Sequence, residues 1–160
     1  MDTALAKPWR DLDAYIQARL EEARAELRLA LTLMTEGYTR NAAGKLFQAY
    51  KSYLAAAAGQ KKAELAPRFK NIDKIIAYMP TRAIPEVSAA LGMEKEGYVA
   101  LALHQYQHNG PDPEGVMSIY PSREAAARDF CWLAARLCNA LKCDEALYAE
   151  ACGEYQVQSA

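Results

Sequence analysis

The side chains able to do chemistry gather in two places. Only two histidines occur, His104 and His108. Four residues apart, they project from one side of a helix end. Imidazoles so placed can transfer protons or ligate a metal, with Asp112 and Glu114 in the following loop as the nearest oxygen donors. The set matches no recognised metal-ligand spacing. The plainer reading is one surface histidine and one at a helix C-terminus, where a cation is favoured. No metal and no cofactor is expected. The second place is the segment from Gly37 onward, where Arg40, Asn41, Lys45 and then Lys51 stand. They can contact a phosphate, or form an ordinary solvated flank. The candidates are therefore His104 and His108 for catalysis, and Arg40, Asn41, Lys45, Asn109 and Asp112 for ligand binding. Phosphate-binding glycine loops, dinucleotide fingerprints, H-E-x-x-H and G-x-S-x-G are all missing.

Tyrosine is abundant, 10 residues against 3 phenylalanines. Tyr50, Tyr53, Tyr98 and Tyr106 can stack on bases. Alternatively they are core residues whose hydroxyls reach the surface or a partner. Four cysteines, Cys131, Cys138, Cys143 and Cys152, crowd the C-terminal part without a C-x-x-C pair. Cys131 and Cys138 lie two turns apart on one predicted helix, about 10 Å and too far to bridge. Reduced, buried thiols are one reading. A disulfide from Cys152 back to Cys138 or Cys143 is the other.

These residues need helices to hold them. The stretch Gly37–Gly59 reads as one helix between glycines. Ala43, Leu46, Phe47, Tyr50, Tyr53, Leu54 and Ala57 share one face, and Asn41, Lys45, Gln48 and Ser52 the opposite one. Small residues on its flanks would let neighbours approach closely, so it belongs in the middle of a bundle. Before it, a helix opening at Lys7-Pro8-Trp9 carries the stripe Trp9, Leu12, Ile16, Leu20, Ala23, Leu27, Ala30, Leu31 and Met34. Gly37 stops that helix and Thr39 is the expected N-cap of the next. The short turn predicts an antiparallel hairpin. Leu29 and Leu33 fall off the stripe with Tyr15, facing either a third helix or a second subunit.

Shorter helices follow over Ile72–Met79, from Thr81 to Gly92, and over Tyr98–His108. The loop HNGPDPEGV is enforced by its prolines and glycines. Ser122 caps a last long helix with the stripe Ala126, Phe130, Leu133, Ala134, Leu137 and Leu141, and Asp144 starts a short C-terminal one. No run alternates convincingly, so essentially no β-sheet is expected. The fold class is all-α: an up-and-down helical bundle, a long hairpin plus shorter helices, in a single domain over residues 1–160.

Hydrophobic residues make up 52% and charged residues 24%, which excludes wholesale disorder. The net charge of −1 gives no global basic field to draw in nucleic acid or anionic membrane. No apolar run spans a bilayer and the N-terminus lacks a secretory pattern, so a cytoplasmic protein is expected.

Three segments, PWRDLDAYIQARLEEARAEL, EGYTRNAAGKLFQAYKSYLAA and LHQYQHNGPDPEGVMSIYPSREAA, together resemble the PaREP family of hyperthermophilic archaeal proteins, over roughly residues 8–141. That family is related to the HEPN superfamily of helical domains. The resemblance implies a HEPN-like bundle, commonly a homodimer, with a nucleotide, RNA or a protein as possible partner. Many HEPN domains are ribonucleases that use an arginine a few residues before a histidine. Here the arginine positions hold Leu101, Ala102 and Leu103 for His108, and Gly97, Tyr98 and Val99 for His104. No arginine stands between Arg82 and Arg123. The resemblance thus implies a non-catalytic dimeric module, with a divergent ribonuclease or nucleotide-binding enzyme as the alternative.

Overall fold

The computed structural model describes residues 3–155, and they form eight α-helices with no strand among them. The order is α1 Leu12–Thr35, α2 Thr39–Gln60, α3 Lys62–Leu65, α4 Ile72–Tyr78, α5 Ile84–Ala90, α6 Glu94–Asn109, α7 Arg123–Leu141 and α8 Glu145–Cys152. Short 3₁₀ turns cover Thr81–Ala83 and Gly153–Tyr155. The fold class is all-helical, as the periodicity predicts.

Helices α1 and α2 form the long hairpin. Gly37 turns it at φ 88°, a left-handed conformation that glycine adopts without a Cβ penalty. Helix α2 is the central element, touching α1, α4, α5, α6 and α7. Leu46, Phe47, Tyr50 and Leu54 on its core face are all buried. Its flanks are small where neighbours come near. A Cβ added at Gly59 would lie 2.9 Å from Ile16 Cγ1, and one at Gly44 would overlap the Gln107 side chain. The opposite strip is polar: Asn41 and Gln48 are exposed, Lys45 and Ser52 half-buried.

Several local signals hold. The Ser122 side chain accepts from Ala125 N–H at 3.2 Å and Asp144 from Leu147 N–H at 3.1 Å, capping α7 and α8. Others need correction. Helix α1 begins at Leu12 with Asp11 as its N-cap, because residues 7–10 close a turn of their own in which Arg10 N–H donates to Lys7 O. Trp9 therefore leaves the core stripe and stands 48% exposed. Thr39 is not the N-cap of α2. Tyr38 is, without any side-chain cap, and Thr39 is buried as the first helical residue. Tyr50 and Tyr106 are core residues, not stacking platforms; Tyr98 is exposed.

The cysteines pair differently from either sequence expectation. Disulfides join Cys131 to Cys152 and Cys138 to Cys143. Lys142 adopts the left-handed conformation and reverses the chain at the end of α7. Cys143 thereby returns to Cys138, and α8 runs back until Cys152 reaches Cys131. No reduced cysteine remains among the described residues.

Beyond the hairpin, Tyr15 and Arg19 of α1 close the C-terminus of α4. The Tyr15 hydroxyl donates to Ile76 O, and Arg19 Nη2 donates to Ala77 O at 2.9 Å. Arg19 also pairs with Glu22, one turn along the same helix. That ion pair measures 2.9 Å, and the guanidinium also donates to the Tyr15 hydroxyl.

Candidate functional site

Most of the candidate residues, though not Lys45, gather where the C-terminus of α6 meets the N-termini of α2 and α7. They do not converge as one catalytic set. The loop after α6 is rich in proline and glycine, so its backbone groups find few partners in regular structure and must be satisfied by side chains. Asp112 does most of this. Its carboxylate accepts from the backbone N–H groups of Glu114 at 3.1 Å, Val116 at 2.9 Å, Met117 at 2.5 Å and Ser118 at 3.3 Å. Those donors, Met117 foremost, hold its carboxyl below the usual carboxylate range. Asn109 adds a bond from Nδ2 to Met117 O at 2.8 Å. Two of the proposed ligand contacts thus serve the loop itself.

Arg40 reaches across from α2. Its Nε donates to Gln107 O at 3.1 Å and its Nη2 to His108 O at 2.5 Å. These are carbonyls of the last turn of α6, left without intrahelical partners. Gly110 follows at φ 67°, and a Cβ there would press to 3.4 Å from Arg40 Cδ and Nε. So Arg40 does come to His108, but it meets the main chain and not the imidazole.

His104 lies deeper. Its ring stacks on Phe47 at 4.2 Å between centroids and meets the edge of His108 at 5.1 Å. Its Nδ1 is buried without a hydrogen-bond partner. Burial pushes its pKa down, with smaller contributions from His108 and Lys51, so the ring is neutral near pH 7. His108 is exposed. Asp112 is occupied by its loop, and the described residues hold no cluster of three or more metal-ligating groups. Lys45 faces α1 instead, with Nζ 3.6 Å from Glu26 Oε2.

What remains open is a groove of about 450 Å³ lined by Tyr38, Arg40, Asn41, Tyr106, Gln107 and Arg123, among others. Arg123 was not among the sequence candidates. Its Nε donates to Thr39 Oγ1 at 2.7 Å, which fixes the guanidinium beside the first turn of α2. That turn carries no acidic residue and no side-chain cap, so neither the helix nor a cap supplies partners for its first N–H groups. Neither Arg40 nor Arg123 pairs with a carboxylate among the described residues. Bonds to carbonyls and a hydroxyl position the two cations without neutralising them. A groove with two fixed guanidiniums and a helix N-terminus can hold an anion, most naturally a phosphate.

A family comparison decides the kinship. The model of the archaeal PaREP1/PaREP8 family matches residues 18–131. The chain belongs to that family. The match takes in α2 and α6 whole and the first part of α7, so every residue that lines the groove of this PaREP protein lies within it. No curated protein and no solved structure matches the chain.

Proposed function

We propose that this PaREP protein is a non-catalytic helical binding module that takes a phosphate-bearing ligand, a nucleotide or RNA, in the Arg40–Arg123 groove. The observation that carries the reading is the pair of positioned, uncompensated guanidiniums over the uncapped start of α2. Phosphate contacts of this kind position a ligand but carry out no chemistry. No histidine side chain lines that groove. A ribonuclease needs a cation for the developing charge and a base beside it. Here the cation nearest His108 is engaged with carbonyls. The divergent-ribonuclease reading therefore has less support.

In this reading the bundle is HEPN-like, supported by the three resembling segments and the long antiparallel hairpin, and it works as a cytoplasmic homodimer. Leu29 on α1, 42% exposed, supports a subunit contact there. A dimer mass by light scattering is expected to fall to a monomer in Leu29→Glu. A monomeric wild type would remove the dimer from the proposal.

Calorimetric titration with ADP and with a short RNA tests the groove. Arg40→Gln and Arg123→Gln are each expected to weaken binding by about tenfold, the worth of one charge-assisted contact. Unchanged affinity in both variants would refute the assignment. RNA cleavage lost in His108→Ala would establish the ribonuclease instead.

A further inference from the structure

The opposite end of the hairpin carries a second groove, of about 630 Å³. Helix α1 has 24 residues, so this end lies about 36 Å from the Arg40 groove. Three aromatic residues line it: Trp9 from the turn before α1, Phe69 from the segment after α3, and Tyr78 from the end of α4. Trp9 is 48% and Tyr78 68% exposed, although α4 buries Ile72 and Ile76 from the same short helix. Large aromatics are costly to leave in water, and grouped at a concave surface they mark a recognition site.

The unpaired charges around them have one sign. Lys70 and Lys74 line the groove and pair with no carboxylate among the described residues. Its acidic residue, Asp73, is taken up by Lys62 at 2.6 Å. The groove therefore presents flat π-faces beside two uncompensated ammonium groups. An apolar peptide would use the rings and leave the lysines idle. An acidic peptide would use the lysines and leave the rings idle. A nucleobase with its phosphate uses both, by stacking and by charge.

We propose that the Trp9–Phe69–Tyr78 groove binds single-stranded nucleic acid, stacking bases on Trp9 and Tyr78 with Lys70 and Lys74 on the phosphates. It is a separate site from the Arg40 groove. With a net charge of −1 the protein lacks a global field, so affinity rests on these local contacts. Two phosphate contacts imply a modest salt dependence. A log–log slope of about −1.4 follows from about 0.7 per contact on a single strand, or roughly a sevenfold loss between 50 and 200 mM salt.

The test uses the full chain with Trp132→Phe, which leaves Trp9 as the sole tryptophan of the two. Trp132 lies elsewhere, between Lys95 and Arg136. Oligouridylate of eight nucleotides is expected to quench Trp9 fluorescence saturably. The Trp9 quenching titration is expected to show about a tenfold weakening in Tyr78→Ala, with helicity retained by circular dichroism. Lys70→Ala with Lys74→Ala is expected to flatten the salt slope towards zero. Uridine monophosphate that quenches as well as the oligomer would support the same base-plus-phosphate chemistry with a free nucleotide as its source. Uridine that quenches as well as the monophosphate would overturn the role of the lysines. An absence of quenching at 50 mM salt would overturn the site. So would Trp9 quenching by the oligomer that survives these substitutions unchanged. Arg40→Gln is expected to leave Trp9 quenching intact, so failure at one groove is separable from failure at the other.

Discussion

Reduction of the two disulfides gives a quantitative test of how the C-terminal part is held. Cys131–Cys152 closes a separation of 21 residues and Cys138–Cys143 one of 5. The chain-entropy relation assigns about 3 kcal/mol to the first and about 2 kcal/mol to the second. The shorter loop is nested inside the longer, so the two are not independent and about 4 kcal/mol is a reasonable joint figure. At about 2–4 °C per kcal/mol for a chain of this size, full reduction is expected to lower Tm by roughly 10 °C. The order of reduction is also set. Cys131 and Cys152 are fully buried, whereas Cys138 and Cys143 are half-buried. Cys138–Cys143 should open first in the native state, and Cys131–Cys152 only when α8 leaves α7. Cleavage after Arg136, Lys142 and Glu145 or Glu150 separates all four cysteines. Trypsin with a glutamate-specific protease, under non-reducing conditions, thus reads the pairing directly by mass. A Cys138–Cys152 or Cys143–Cys152 peptide would refute the nested arrangement. A Tm shift under 3 °C on complete reduction would refute the energetics.

Three further outcomes follow from the packing. Tyr50 and Ser88 share a buried hydrogen bond of 2.7 Å. Tyr50→Phe or Ser88→Ala alone should cost about 1–3 kcal/mol by leaving a buried partner unsatisfied, and the double variant less than their sum, by denaturant titration. A Cβ at Gly97 would lie 2.5 Å from Ser88 Oγ, which Tyr50 holds in place. Gly97→Ala should therefore destabilise by about 1–3 kcal/mol, while Gly44→Ala, which meets only the movable end of Gln107, should stay within about 1 kcal/mol. The Asp112 carboxyl titrates below its ordinary value of 3.8. Its hold on the loop is then complete above that value and is lost as pH falls through the lower folded one. Amide exchange of Met117 and Ser118 should be slow at neutral pH, accelerate in Asp112→Ala, and fail to do so only if the carboxylate does not organise the loop.

The helices were legible because periodicity and caps act locally. Ser122 and Asp144 start their helices for reasons contained in three or four residues. Trp9 was misread for the same reason: its spacing fits the α1 stripe, but the Lys7–Arg10 turn removes it from the helix. The disulfides needed a tertiary fact. Both pairs straddle the turn at Leu141–Lys142, as an antiparallel return of α8 along α7 requires. Once Cys138 and Cys143 close that turn, Cys152 can reach only Cys131. Pairing Cys152 with either inner cysteine fits sequence distance and violates that geometry.

Which polar candidates the fold itself uses was not legible, because backbone groups and ligands ask for the same side chains. A carboxylate that can bind a cation is also the best acceptor for four crowded N–H groups, and Asp112 is used for the second purpose. A guanidinium that can clamp a phosphate also caps a helix C-terminus, and Arg40 does so. The useful distinction is therefore between charges that the fold neutralises and charges that it merely positions. Lys45, Lys61 and Lys62 each meet a carboxylate and are neutralised. Arg40 and Arg123 meet neutral oxygens and keep their charge. Lys70 and Lys74 keep theirs beside exposed rings. Folding gains nothing from leaving cations uncompensated in a groove, whereas binding an anion there removes both the exposure and the imbalance. That asymmetry is absent from composition and visible only once partners are assigned, and it favours anion binding at both ends of the α1–α2 hairpin.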